Sequence, residues 1–93
     1  MFKAEQILQK TRNGEMIIGA HVFTANLEIT EAFGYMGYDF VWIDAEHSAF
    51  DRGTILSSII ATNSGGAASF VRVAWNDPVI IKPVLEMGPD GII

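Results

Sequence analysis

Tyr38-Asp39-Phe40-Val41-Trp42-Ile43-Asp44-Ala45-Glu46-His47 passes from a nearly continuous apolar run, Tyr38 to Ile43, straight into three ionisable residues. A run of that length and character predicts a strand over Phe40 to Ala45, buried on both faces as in a parallel sheet. Charge at the end of such a strand is costly unless it is paired or serves a site. A second apolar stretch, Ser69-Phe70-Val71-Arg72-Val73-Ala74, carries a lone arginine and predicts another strand, Ser69 to Trp75.

Around these two segments the chain alternates short apolar runs with amphipathic stretches, the pattern of βα units. Lys3 to Lys10 reads as a leading helix, and Met16 to Phe23 as a first strand. Ala25 to Met36 follows as a helix with Ile29, Ala32, Phe33 and Met36 at helical spacing, ended by Gly37. Asp51 caps the next helix, whose Ile55, Leu56, Ile59 and Ile60 form one stripe, and Asn63-Ser64-Gly65-Gly66 stops it. Asp77-Pro78 starts a further helix that runs towards Gly88, and Gly91-Ile92-Ile93 begins a fourth strand. Pro83 falls inside that helix, where it removes a backbone hydrogen bond at a cost of about 3 kcal/mol.

Four strands with helices between them are either half of an eight-stranded barrel or a small open sheet. The chain stops inside an apolar run, and an open half barrel leaves unpaired edges and an exposed apolar face. The expectation is therefore one partial domain, residues 1–93, from the front of a longer protein.

With 93 residues, 49% of them hydrophobic, a packed core is expected and disorder is not. A net charge of −5 with six scattered basic residues offers no stripe for a nucleic acid. Cysteine is absent, which removes disulfides, thiolate metal sites and a cysteine nucleophile. Met1 to Lys10 lacks an apolar signal core, and no run approaches the roughly 20 residues of a membrane helix. A cytoplasmic protein without membrane or nucleic-acid partners is the expectation.

In a parallel sheet the ends that follow the strands share one face, where active sites collect. His47 follows the second strand, and Arg72 lies near the end of the third, about 4.8 Å away if the two are neighbours. Asp44, Glu46, His47 and Arg72 can then share a pocket. Each has a plainer reading: Arg72 as the partner of Asp44 or Glu46, His47 as a loop anchor, Asp44 as an acceptor for loop amides. His21 either lines the same mouth, with the parity of Ile17 and Gly19, or is a satisfied core histidine, the more ordinary case. Trp42 and Trp75 read as packing rather than stacking platforms. The set suits enolate chemistry: an imidazole accepts a proton from carbon near neutral pH, and a guanidinium forks hydrogen bonds onto a carboxylate or oxyanion.

The segment Tyr38 to His47, then Val71-Arg72-Val73-Ala74-Trp75-Asn76-Asp77-Pro78, Ile81 to Gly88 and Asp90 to Ile93 together resemble the HpcH/HpaI aldolase family. The resemblance implies the N-terminal half, about four βα units, of a (β/α)₈ TIM barrel. It implies metal-dependent, reversible cleavage of a 4-hydroxy-2-oxo acid to pyruvate and an aldehyde. It places His47 on the general base, Arg72 on the enolate-stabilising arginine, and Glu86 on the acid that raises the histidine's basicity. Asp44 and Glu46 join Arg72 at the substrate. The resemblance also implies a divalent ion, Mg²⁺ or Mn²⁺, whose ligands in the family lie on later strands with no counterpart here. Glu86 falls at the far end of its helix, so it reaches His47 only across a subunit contact, which implies a homo-oligomer. On this basis the 93-residue chain is expected to be inactive alone. Two other readings stand beside it: a non-catalytic half barrel that self-associates, and an open α/β domain that binds an organic acid without turnover.

Overall fold

Alternate residues of a strand point to opposite faces, so a sheet covered by helices on one side buries every second side chain there. Val41, Ile43 and Val71 are fully buried in this way and form the centre of the core with Val22, Ile55, Ile59, Ala67 and Val84. The computed structural model describes residues 3–93; Met1 and Phe2, which open the N-terminal amphipathic stretch, lie outside the described residues. The element order is α1 (Lys3–Arg12), β1 (Gly19–Val22), α2 (Leu27–Tyr35), β2 (Phe40–Asp44), α3 (Arg52–Ser64), β3 (Ala68–Arg72), α4 (Pro78–Glu86) and β4 (Gly91–Ile92). The four strands pair in sequence order, all parallel.

Local chemistry starts and stops the helices where the composition predicts. The Asp51 carboxylate accepts from Thr54 N, and the Thr54 hydroxyl oxygen accepts from Asp51 N, a reciprocal capping box for α3. Asp77 caps α4 with Pro78 at its first position, and Gly37 leaves α2 with φ +97°. Pro83 stays inside α4; Val79, whose carbonyl loses its partner, is 75% exposed, so water reaches that turn.

Three expectations are corrected. The strand predicted over Met16 to Phe23 is only Gly19–Val22: the ladder with β2 begins at Gly19 opposite Phe40, and before it Ile18 N is taken by the Asp39 side chain. The third strand likewise ends at Arg72 rather than Trp75. Both predicted helix stripes are also rotated. In α2 the buried residue is Thr30, with Ile29 and Met36 exposed; in α3, Ser58 and Thr62 are buried beside Ile55 and Ile59, while Leu56 and Ile60 are exposed. The reason is close packing of α2 on α3. A Cβ at Gly34 would collide with the Gly65 backbone, and one at Gly65 with the Glu31 carbonyl. Thr30 and Thr62 fit this seam because each hydroxyl donates back to its own helix, to Asn26 O at 2.9 Å and Ser58 O at 2.8 Å.

The other face of the sheet carries Gly19, His21, Phe40, Trp42, Asp44, Phe70, Arg72 and Gly91 in register. Its aromatic residues are only part-buried, with the Phe40 and Phe70 rings 5.1 Å apart. At the N-terminal strand ends, Lys10 bonds Asp39 at 2.7 Å, and Asp90 accepts from Asn63 Nδ2 and Ser69 N, each at 2.8 Å. These bonds brace the end away from Asp44. No helix of the described residues is long and apolar enough to cross a membrane.

Candidate active site

The site is built around the last residue of β2. Asp44 pairs in register with Arg72, and the next amide, Ala45 N, donates to Arg72 O at 2.9 Å. Asp44 Oδ1 accepts from Glu46 N at 3.0 Å and His47 N at 2.9 Å, while the Ser48 hydroxyl donates to the Asp44 carbonyl. The carboxylate thus folds the chain over its own strand end and fixes the segment that carries His47. Its second oxygen, Oδ2, lies 3.0 Å from His21 Nε2 and 3.6 Å from both Arg72 Nη1 and His47 Nδ1.

Burial is the largest influence on the Asp44 carboxyl and pushes its pKa up. The amide of His47, the His21 ring, the amide of Glu46 and the charge of Arg72 together outweigh it and hold the group down at about 2. Asp44 is therefore an anion at neutral pH, with its side chain only 2% exposed. A carboxylate only accepts, so His21 Nε2 carries the shared hydrogen.

Arg72 is held from two sides. Its Nε lies 2.6 Å from Glu46 Oε1, and its guanidinium carbon sits 5.5 Å from the centre of the Trp42 ring. The His21 ring stacks on the same indole, centroids 4.2 Å apart and planes 19° apart. His47 is the most open member, 62% exposed, with Nδ1 3.7 Å from Glu46 Oε1. Asp44, Glu46, His47 and Arg72 thus come together at the strand ends.

Glu86 does not join them. It is exposed at the end of α4, four residues before Asp90, which binds Ser69 at the opposite end of the sheet. Three residues depart from their more ordinary reading in the sequence. His21 is not a core histidine: its side chain is 41% exposed and bound to Asp44. Trp42 is a platform for both His21 and Arg72, and Trp75 is 72% exposed rather than packed.

These side chains do not suit a divalent cation. Asp44 is surrounded by N–H donors and a guanidinium, and Glu46 is engaged by Arg72. Among the described residues no group of three or more His, Asp or Glu side chains is placed to hold a metal. The arrangement offers two imidazoles and a guanidinium at one strand end, groups chemically able to exchange a proton and to face an anion.

A parallel α/β sheet with ionisable side chains gathered past its C-terminal strand ends is the architecture of TIM-barrel proteins. The sequence profile of the HpcH/HpaI aldolase/citrate lyase family matches residues 18–93, and the chain belongs to that family. It is 36% identical over 87 residues to a 5-keto-4-deoxy-D-glucarate aldolase of Citrobacter koseri, covering 94% of this chain and 32% of the relative. It is 44% identical over 63 residues to a hydroxypyruvate/pyruvate aldolase of Rhizorhabdus wittichii, covering 68% of this chain and 25% of the relative. The crystal structure of an HpcH/HpaI aldolase/citrate lyase family protein from Burkholderia cenocepacia superposes with TM-score 0.83 and 26% identity, covering 94% of this chain and 35% of that one. The chain thus spans about a third or less of the length of these relatives.

Proposed function

We propose that residues 1–93 are the N-terminal part of an aldolase barrel that cleaves a 4-hydroxy-2-oxo acid reversibly to pyruvate and an aldehyde. The observation that carries this reading is the convergence of His47 and Arg72 on Asp44 and Glu46 at one strand end. His47 takes or returns the proton on the carbon that becomes the pyruvate methyl. Arg72 faces the oxygen on which enolate charge develops, where one such donor is typically worth about 3–4 kcal/mol in the transition state. Asp44 and Glu46 aim these two groups. Relatives named for keto-deoxy sugar acids and for pyruvate support the substrate class.

A divalent ion, Mg²⁺ or Mn²⁺, is assigned to ligands outside residues 1–93, because the side chains here do not suit one. Glu86 acts as a positioning residue for His47 of a second copy, which makes the enzyme a homo-oligomer. The isolated 93-residue chain is inactive.

The test is pyruvate release from a 4-hydroxy-2-oxo acid by the full-length protein, followed with and without a chelator. His47→Ala is expected to lower kcat by about 100-fold or more. Arg72→Lys, which keeps charge but loses the fork, is expected to cost at least tenfold, on the order of 1.4 kcal/mol. Full activity in His47→Ala overturns the assignment.

A further inference from the structure

The most completely formed imidazole–carboxylate pair in the site is not the one with His47. His21 Nε2 lies 3.0 Å from Asp44 Oδ2, whereas His47 Nδ1 lies 3.6 Å from the same oxygen. The His21 ring is also pinned, stacked on Trp42 at 4.2 Å and met edge-on by Phe23 at 5.5 Å. With Nε2 donating to Asp44, the neutral ring presents a lone pair at Nδ1. No hydrogen bond engages Nδ1 among the described residues, and the side chain is exposed on the same sheet face as Arg72. A base held by a carboxylate in one tautomer, its other nitrogen free, is the arrangement that general-base catalysis uses.

Aldol cleavage needs two proton transfers at two different atoms: an oxygen loses one and a carbon gains one. We propose that His21 is a second proton-transfer residue, accepting the proton of the substrate's 4-hydroxyl while His47 serves the methyl carbon. The proposal rests on the aldolase reading above. His21 and Arg72 stand on the two strands flanking β2 and both reach Asp44 Oδ2, at 3.0 and 3.6 Å, so a ligand of a few atoms can touch both. A substrate whose 2-oxygen meets Arg72 and whose chain runs across Trp42 brings its 4-hydroxyl towards His21. In the cleavage step the hydroxyl proton passes to Nδ1 and the O–H pair becomes the aldehyde C=O. The C3–C4 bonding pair moves into the C2–C3 double bond, and the enolate oxygen takes the negative charge. His47, protonated from solvent, then protonates C3 to give pyruvate, and imidazolium His21 returns its proton to solvent or, in synthesis, to the new alkoxide.

Two reactions of the full-length protein separate these roles. Exchange of the pyruvate methyl protons in D₂O, followed by NMR, involves no hydroxyl; cleavage of the 4-hydroxy-2-oxo acid involves both transfers. His21→Gln keeps an N–H for Asp44 but cannot take a proton. It is expected to lower cleavage kcat by about 100-fold while leaving exchange within about threefold. His21→Phe, which keeps a ring on Trp42, is expected to give the same split and serves if the glutamine variant does not fold. A parallel loss of both reactions overturns the proposal, because His21 then acts on the methyl carbon or merely braces Asp44. Unchanged cleavage overturns it too. Wild-type protein inert in both assays overturns the aldolase reading itself, a result distinguishable from the other two.

Discussion

At the scale of single residues, Asp44 carries more obligations than any other side chain in the site. It satisfies two loop amides, orients one imidazole and lies beside a guanidinium, all while nearly excluded from water. Asp44→Asn keeps an acceptor for the amides but turns an N–H₂ towards donors, and is expected to destabilise the fold by about 1–3 kcal/mol. The sign with pH follows from the lowered pKa. The carboxylate's contribution is fully present above its ordinary value of 3.8 and is lost as pH falls through about 2. Denaturant melts of the two proteins are therefore expected to converge between those values; a constant difference refutes the assignment. Asp44, Glu46, His47 and Arg72 were legible because charge interrupts or ends an apolar run. His21 was legible only as one of two alternatives, since a lone histidine in a four-residue strand gives no such contrast, and its place beside Asp44 depends on a register that pairs it with Trp42.

At the scale of elements, the order and type of helices and strands followed from periodicity and caps, whereas the buried helix faces followed only in part, through Phe33, Ile55 and Ile59. Apolar spacing points Ile29 of α2 and Met36 at its C-terminal cap, with Leu56 and Ile60 of α3, inward, yet all four are exposed. What sets the rotation is the glycine seam, where Gly34 and Gly65 let two backbones touch and hydroxyl residues fill the contact. Hydrophobicity carries no signal for that kind of packing. Gly65→Ala forces α2 and α3 apart and is expected to lower stability by about 1–3 kcal/mol, read as a lower denaturation midpoint. An unchanged midpoint shows that the seam has room.

At the scale of the whole molecule, β1 and β4 are both open edges, and Phe23, Trp75 and Ile93 are exposed large apolar residues near them. The face bearing Phe40, Trp42 and Phe70 is only part-buried. Such a surface favours association. On the proposed barrel reading, residues 1–93 produced alone are expected to self-associate and to bind a hydrophobic dye, while the full-length protein binds far less dye per chain. Sedimentation and dye fluorescence read both, and a dye-silent monomer of residues 1–93 contradicts the barrel assignment.

The carboxylate at the tip of β2 is gripped by side chains from β1 and β3, so three consecutive strands hold His21, Asp44 and Arg72 as one connected unit. A chimera joined after Arg72 inherits that unit whole, whatever sequence is grafted beyond it. On the proposed aldolase reading, segments beyond Arg72 are then exchangeable without breaking the contacts that hold this cluster together.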